Sequence, residues 1–224
     1  MKLVEKFNYQ KLEQITYEDR SRKYITPDGD HVPSVTTVLG QTGDKSGLKR
    51  WAEWVGEKEA DKQRREAGGL GSLLHSHLEA YIEERDRPAG NNVVRKMARD
   101  MSDVMIERGL SRVTEIWGIE KAQYFPALYA GTADLIGCFE NAPAIMDYKT
   151  SKKMKKDEHV EDYKLQVAAY SIAHNEIYGT NIKTCAIFMV GRDLSFKTYV
   201  IDGLQFQKAC NSWHRRLEEW FANN

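Results

Sequence analysis

The chain has 224 residues, and its 33 Lys and Arg balance its 33 Asp and Glu, giving a formal net charge of zero. That length suits one ordinary to large domain with a real core, and the neutral balance excludes the global field of a general polyanion binder, so any anion site must be local. Three scattered cysteines, Cys138, Cys185 and Cys210, form no CxxC pair, which argues for a reducing compartment and against zinc or iron–sulfur sites.

In chain order, the N-terminus MKLVEKFNYQKLEQ lacks an apolar signal core and carries Glu5 and Glu13, unlike an organellar transit peptide. No run approaches the roughly 20 apolar residues that span a bilayer. The expectation is a soluble, cytoplasmic protein without membrane contact. Arg22 to Ile25 followed by Pro27-Asp28-Gly29 predicts a strand and turn, hence a hairpin. Ser34 is placed as the N-cap of a helix opening at Val35. Leu48 to Glu66, with Leu48, Trp51 and Val55 on one stripe, predicts an amphipathic helix.

Ala67-Gly68-Gly69-Leu70-Gly71 predicts an interruption, after which Ser72 to Arg85 resumes helical spacing through Leu74, Leu78 and Tyr81 or Ile82. Val93 to Arg108 is another helix, closed by Gly109. From Val113 the period changes. Ile116 to Phe125, Leu128 to Phe139 and Ala142 to Lys149 predict three successive strands in an antiparallel meander. Asp162 to Tyr178 is a helix ending at Gly179, Thr184 to Val190 and Phe196 to Ile201 are strands, and Gly203 to Asn223 is a closing helix with Phe206, Cys210, Trp213, Leu217 and Trp220 inward. The order predicts an α/β (α+β) fold with a mixed central sheet flanked by helices.

Two acids stand out, because each occupies strand sequence where an apolar side chain is the norm. Asp134 sits between Gly131-Thr132-Ala133 and Leu135-Ile136, and Asp147 follows Ala144-Ile145-Met146. Carboxylates on adjacent strands repel one another and resist burial unless a cation compensates them. A divalent ion such as Mg²⁺ does so with oxygen ligands at about 2.0–2.1 Å, one or two of them carboxylates. The backbone carbonyl of Tyr148 is a further candidate ligand. Lys149, two positions beyond Asp147, shares its strand face and so reaches the same site. There a compact ammonium can position a water and neutralise charge building on a phosphate.

An Asp followed across two strands by acid-x-Lys resembles the PD-(D/E)XK nucleases, with Ala133 in place of the first motif's proline. Two further motifs place the resemblance in the RecB-like branch. They are Gly71-Ser72-Leu73-Leu74-His75 with Glu79 one turn on, and Gln166 with Tyr170 at i,i+4. The N-terminal half, from Tyr24 through Ser34 to Leu39 and on to Trp51 and Gly56-Glu57, is similar to the mitochondrial genome maintenance exonucleases and their phage-encoded relatives.

That resemblance implies a restriction-endonuclease-like core over 110–224, preceded over 1–109 by a hairpin, a helical arch supplied by the Ser34-to-Leu39 and Leu48-to-Glu66 segments, and the His-motif helix, all in a single nuclease domain of residues 1–224. It implies hydrolysis of DNA phosphodiesters from a free end, with single strands preferred, and the host cytoplasm as location if phage-encoded. The alternatives are a flap or junction endonuclease and a non-catalytic single-strand clamp. His75, Glu120, Asp134, Asp147 and Tyr148 would hold one or two Mg²⁺ or Mn²⁺ ions, with Glu115 the competitor to Glu120. Asp134, Asp147, Lys149, Glu120, Gln166 and Tyr170 would form the catalytic set. No iron–sulfur cluster is expected. Ser34, Thr36, Trp54, Lys152 and Lys153 are the candidate DNA contacts, and replication or recombination proteins are the candidate partners.

Overall fold

Val113 onward supplies the centre of the molecule, because its alternating side chains give a sheet two apolar faces. The computed structural model describes residues 1–19 and 21–224. Its strands are β1 (Lys2–Leu3), β2 (Glu13–Thr16), β3 (Arg22–Ile25), β4 (His31–Pro33), β5 (Val113–Phe125), β6 (Tyr129–Phe139), β7 (Ala142–Ser151), β8 (Thr184–Gly191) and β9 (Phe196–Ile201). The helices are α1 (Val35–Thr42), α2 (Ser46–Val55), α3 (Glu57–Ile82), α4 (Val93–Arg108), α5 (Glu161–Tyr178) and α6 (Gly203–Ala222).

The main sheet has the order β1-β5-β6-β7-β8-β9. As the pattern predicts, β5, β6 and β7 form the antiparallel meander. The connection from β7 through α5 makes β8 parallel to β7, so the sheet is mixed. A second antiparallel sheet, β2-β3-β4, contains the expected hairpin. The N-terminal contributions, β1 pairing with β5 and β2 with β3, carry no clear strand signal in the sequence.

Each face of the main sheet is covered. On one, Tyr129, Ile136, Ile145 and Ile187 pack beneath α1, α5 and α6, with Trp213 at the centre. On the other, Leu135, Met146 and Phe188 meet Leu74 and Leu78 of α3 and Met101 and Met105 of α4. Full burial of each such side chain contributes about 1.5–3 kcal/mol. Local signals set the helix ends: Ser34 Oγ accepts from Thr37 N at 3.0 Å, and Gly179 ends α5 in the left-handed region.

Four expectations are corrected. First, α3 runs unbroken through the Gly68-Gly69 and Gly71 positions where an interruption is predicted, and the break falls instead at Gly56, φ +86. Each helical glycine costs about 1 kcal/mol relative to alanine, but Leu70, Leu74 and Leu78 bury one stripe across the segment and outweigh it. Second, α1 is a core helix rather than part of an arch, with Val35, Val38 and Leu39 buried against α5 and α6. Third, the α2 stripe is only partly covered: Leu48 is exposed, Trp51 and Val55 are half-buried, and Ala52 is the helix's buried residue. Fourth, Cys210 packs against the core only half-buried, and Ala209 beside it on α6 is fully buried. Among the described residues no helix is long and apolar enough to cross a membrane.

Candidate metal centre and active site

The β6/β7 ladder runs from Phe139 opposite Ala142 to Leu135 opposite Met146, then stops. One residue further along each strand lie Asp134 and Asp147. Here the strands part, and the Tyr148 backbone N–H donates to Asp134 Oδ2 at 2.7 Å in place of a ladder carbonyl. β7 stays straight because its parallel pairing with β8 continues to Ser151. Both carboxylates therefore line a gap in the sheet while almost out of water, Asp134 at 7% exposure and Asp147 at 1%.

From the α3 side, His75 Nδ1 lies 3.0 Å from Glu120 Oε1 and Nε2 lies 3.7 Å from Asp134 Oδ2. Its ring stands edge-on to the buried Tyr148 ring. One donor atom from each of His75, Glu120 and Asp134 falls within 4.8 Å of the others. Glu120 reaches this position from a left-handed backbone, φ +49. For a residue with a β-carbon that conformation costs about 1–2 kcal/mol, and such strain clusters at functional sites. Glu115, the competitor in sequence, instead accepts from Trp117 Nε1 at 2.9 Å.

From the α5 side, Gln166 Nε2 donates to Asp147 Oδ1 at 3.2 Å and to the Tyr170 hydroxyl at 3.2 Å. Tyr170 packs against Gly131, where a β-carbon would come within 2.5 Å of its ring. Lys149 Nζ is 2.5 Å from Asp147 Oδ2. The Tyr163 ring lies between two ammonium groups, 5.1 Å from Lys149 and 4.7 Å from Lys155. Tyr163 has no role in the sequence reading, although its i,i+3 spacing from Gln166 on α5 is the signal that could have found it.

Burial raises the Asp147 carboxyl to about 6, with Lys149 pulling against that and the Asp134 charge adding to it. Burial raises Asp134 as well, opposed by His75 and Lys149. Burial alone would push His75 down, but the Glu120 hydrogen bond and the charges of Asp134 and Asp147 win and lift it to about 9. Lys149 is likewise raised, because Asp147 and Asp134 overcome its desolvation. Without a metal ion the acids are thus held by an imidazolium and an ammonium. Asp147 Oδ2 is buried and meets Lys149 as an ion pair, without the alignment of a hydrogen bond. Three carboxylates with one imidazole and an under-satisfied buried oxygen fit a hard or borderline divalent cation such as Mg²⁺ or Mn²⁺.

The remaining predicted residues divide. Ser34 is buried at the α1 N-terminus and its hydroxyl is spent on Thr37 and Thr36. Thr36 Oγ1 accepts from Arg22 Nη2 at 2.9 Å. Capping and hairpin packing thus use both hydroxyls. Trp54 is 84% exposed on α2. Lys152 and Lys153 are exposed in the loop directly after β7. Glu79, the helical partner of His75, pairs with Arg85 at 3.5 Å. Tyr148 brings its N–H to Asp134 and its ring beneath His75.

Comparison with known proteins matches residues 46–220 to the family model of the PD-(D/E)XK nuclease superfamily. Among solved structures the chain is similar to a protein described as "Putative exonuclease" from Eubacterium rectale, at 14% identity and a TM-score of 0.49. That match covers 70% of this chain and 66% of the other, so this chain spans just under two thirds of its length. No curated protein matches.

Proposed function

Because the chain belongs to the PD-(D/E)XK nuclease superfamily, we propose that it is a divalent-metal-dependent deoxyribonuclease that degrades single-stranded DNA from a free end. Asp134, Asp147, Glu120 and His75, with the Tyr148 carbonyl, would hold one or two ions. When bound, Mg²⁺ or Mn²⁺ supplies an activated water and Lewis-acid stabilisation of a phosphoryl oxygen. Lys149 keeps its proton beside Asp147 and presents a fixed positive charge where negative charge develops on the phosphate. Gln166 fixes the rotamer of Asp147, and Tyr170 packed on Gly131 fixes Gln166.

A single observation carries the catalytic part of this reading. Two buried carboxylates face a gap where the β6/β7 ladder ends, with a same-strand lysine on one side and a His–Glu pair on the other. A binding module would have no need to keep charge there. The exposed Trp54 indole supports preference for unpaired bases, since stacking is worth about 1–3 kcal/mol per base. Lys152 and Lys153 would meet the backbone of the same strand.

The test uses Mg²⁺ with end-labelled linear single strands, closed single-stranded circles and blunt duplex. The expected result is progressive loss of the linear strand while the circle survives. Cutting of the circle would replace this reading with an endonuclease, and no cutting at all would replace it with a non-catalytic clamp.

A further inference from the structure

We propose that the cleft on the outer side of Glu120 seats one unpaired nucleoside, the terminal one of the strand, beside the scissile phosphate. This inference rests on the nuclease reading of the metal centre and adds to it the site that decides which part of the substrate lies there. The cleft has a volume of about 350 Å³, and Glu120, which forms part of its lining, also belongs to the candidate metal centre. That volume lies at the small end of the range for sites that enclose small molecules, roughly 300–1,000 Å³.

The cleft exists because the N-terminal segment bends around an open strand edge. β1 pairs with β5 only at Glu115 and Ile116, leaving the edge beyond them free. Residues 9–14 cross that edge. Tyr9 can lie against it because position 118 is glycine, where a β-carbon would sit 2.8 Å from the Tyr9 ring. Beneath this strap, Ala122 of β5 pairs with Thr132 of β6 to form the floor. Ala122 is two residues from Glu120 and Thr132 two from Asp134, which by the strand rise is about 7 Å from the acids. One nucleoside spans that distance; two do not.

The walls suit a base and sugar better than a bare phosphate. Tyr9 supplies a half-buried ring, and Tyr24, its ring packed against Val32 and Ala130, also lines the cleft. The Tyr24 hydroxyl donates to Gln14 Oε1 at 2.9 Å and lies 3.2 Å from Thr132 Oγ1, holding the Gln14 amide in place. Gln14 Nε2 spends one hydrogen on Thr16 at 3.2 Å, which leaves its second for an acceptor on a base edge. Lys11 and Lys121 are both exposed at the cleft, so positive charge stands at the opening where the phosphate would cross. A base still paired in a duplex keeps its edge engaged and cannot enter, which ties this cleft to a preference for single strands.

The test compares a linear single strand with an otherwise identical strand whose two terminal residues are abasic, using Mg²⁺ and the full chain. Wild type is expected to remove the terminal residue at least about tenfold faster from the normal strand, the lower part of the range for losing one base contact. Ala122→Phe, which fills the cleft floor, should bring that ratio close to one. Gln14→Ala, at an exposed position and so safe for folding, should raise KM severalfold on the normal strand alone. A wild-type ratio near one with active hydrolysis would overturn the nucleoside site and leave the nuclease reading standing. Should Ala122→Phe fail to fold, an unchanged KM in Gln14→Ala overturns the site by itself. Absence of hydrolysis of either strand with Mg²⁺ or Mn²⁺ would overturn both.

Discussion

Metal affinity should rise about tenfold per pH unit between pH 7 and 8.5, and the reason lies in His75. In the metal-free protein its imidazole is held to about 9 by Glu120 and the two buried aspartates, so it is protonated at neutral pH. A ring nitrogen can ligate only after giving up that proton, whereas Asp147, at about 6, is already ionised above pH 7. One proton must therefore leave for each ion that binds through His75. Over one and a half pH units this amounts to about a 30-fold gain in affinity, levelling off near pH 9. Isothermal titration of Mn²⁺ in buffers of differing ionisation enthalpy counts the protons directly. His75→Ala should bind more weakly and lose the slope. A wild-type affinity that is flat across this range, with no proton released, would show that His75 neither carries the charge nor serves as a ligand.

The same groups predict how the metal-free protein melts. His75 is raised on folding, so its stabilisation is complete below about pH 6.5 and lost as pH rises through 9. Asp147 is raised as well, so the fold weakens as pH climbs from about 4 through 6. With the His75 shift discounted for its partial exposure to about 2 kcal/mol, the melting temperature should fall about 4–8 °C from pH 6.5 to 9. Saturating Mg²⁺ should flatten that decline, and a metal-free curve that rises instead would contradict the site electrostatics. Asp134→Asn and Lys149→Ala should each lower turnover at least about 10²–10³-fold while single-strand binding persists, and wild-type rates in either would remove these residues from the catalytic set. Gly131→Ala drives a methyl into the Tyr170 ring, so it should cost about 1–3 kcal/mol in chemical denaturation; unchanged stability would mean Tyr170 is free to move. Trp54→Ala should weaken single-strand binding about 5- to 150-fold and leave the melting curve unmoved, because the indole is 84% exposed.

What could be read from the sequence was whatever depends on neighbours within a turn or a strand. The alternation around Asp134 and Asp147 places both acids on strands, and a period of two puts Lys149 on the face of Asp147. Ser34 caps α1, Gly109 and Gly179 close their helices, and the three-strand meander follows from punctuation alone. These are local signals, and local backbone preference is sufficient to produce them.

Contacts between distant segments decided the rest. The glycines of 68–71 stay helical because the leucines of α3 bury against the sheet, a gain invisible in the glycine-rich run itself. Glu120 rather than Glu115 meets His75, 45 residues earlier, because a left-handed turn of the backbone aims it there. The wrapping of residues 9–14 around the β5 edge, which makes the cleft beside Glu120, depends on Tyr9 finding space over Gly118. Composition and spacing thus determined which side chains could do chemistry. Where the β6/β7 ladder ends, and hence that Asp134 and Asp147 share one gap, was decided by packing on both faces of the sheet, since pairing energy per residue is small beside the apolar area that fixes the strands.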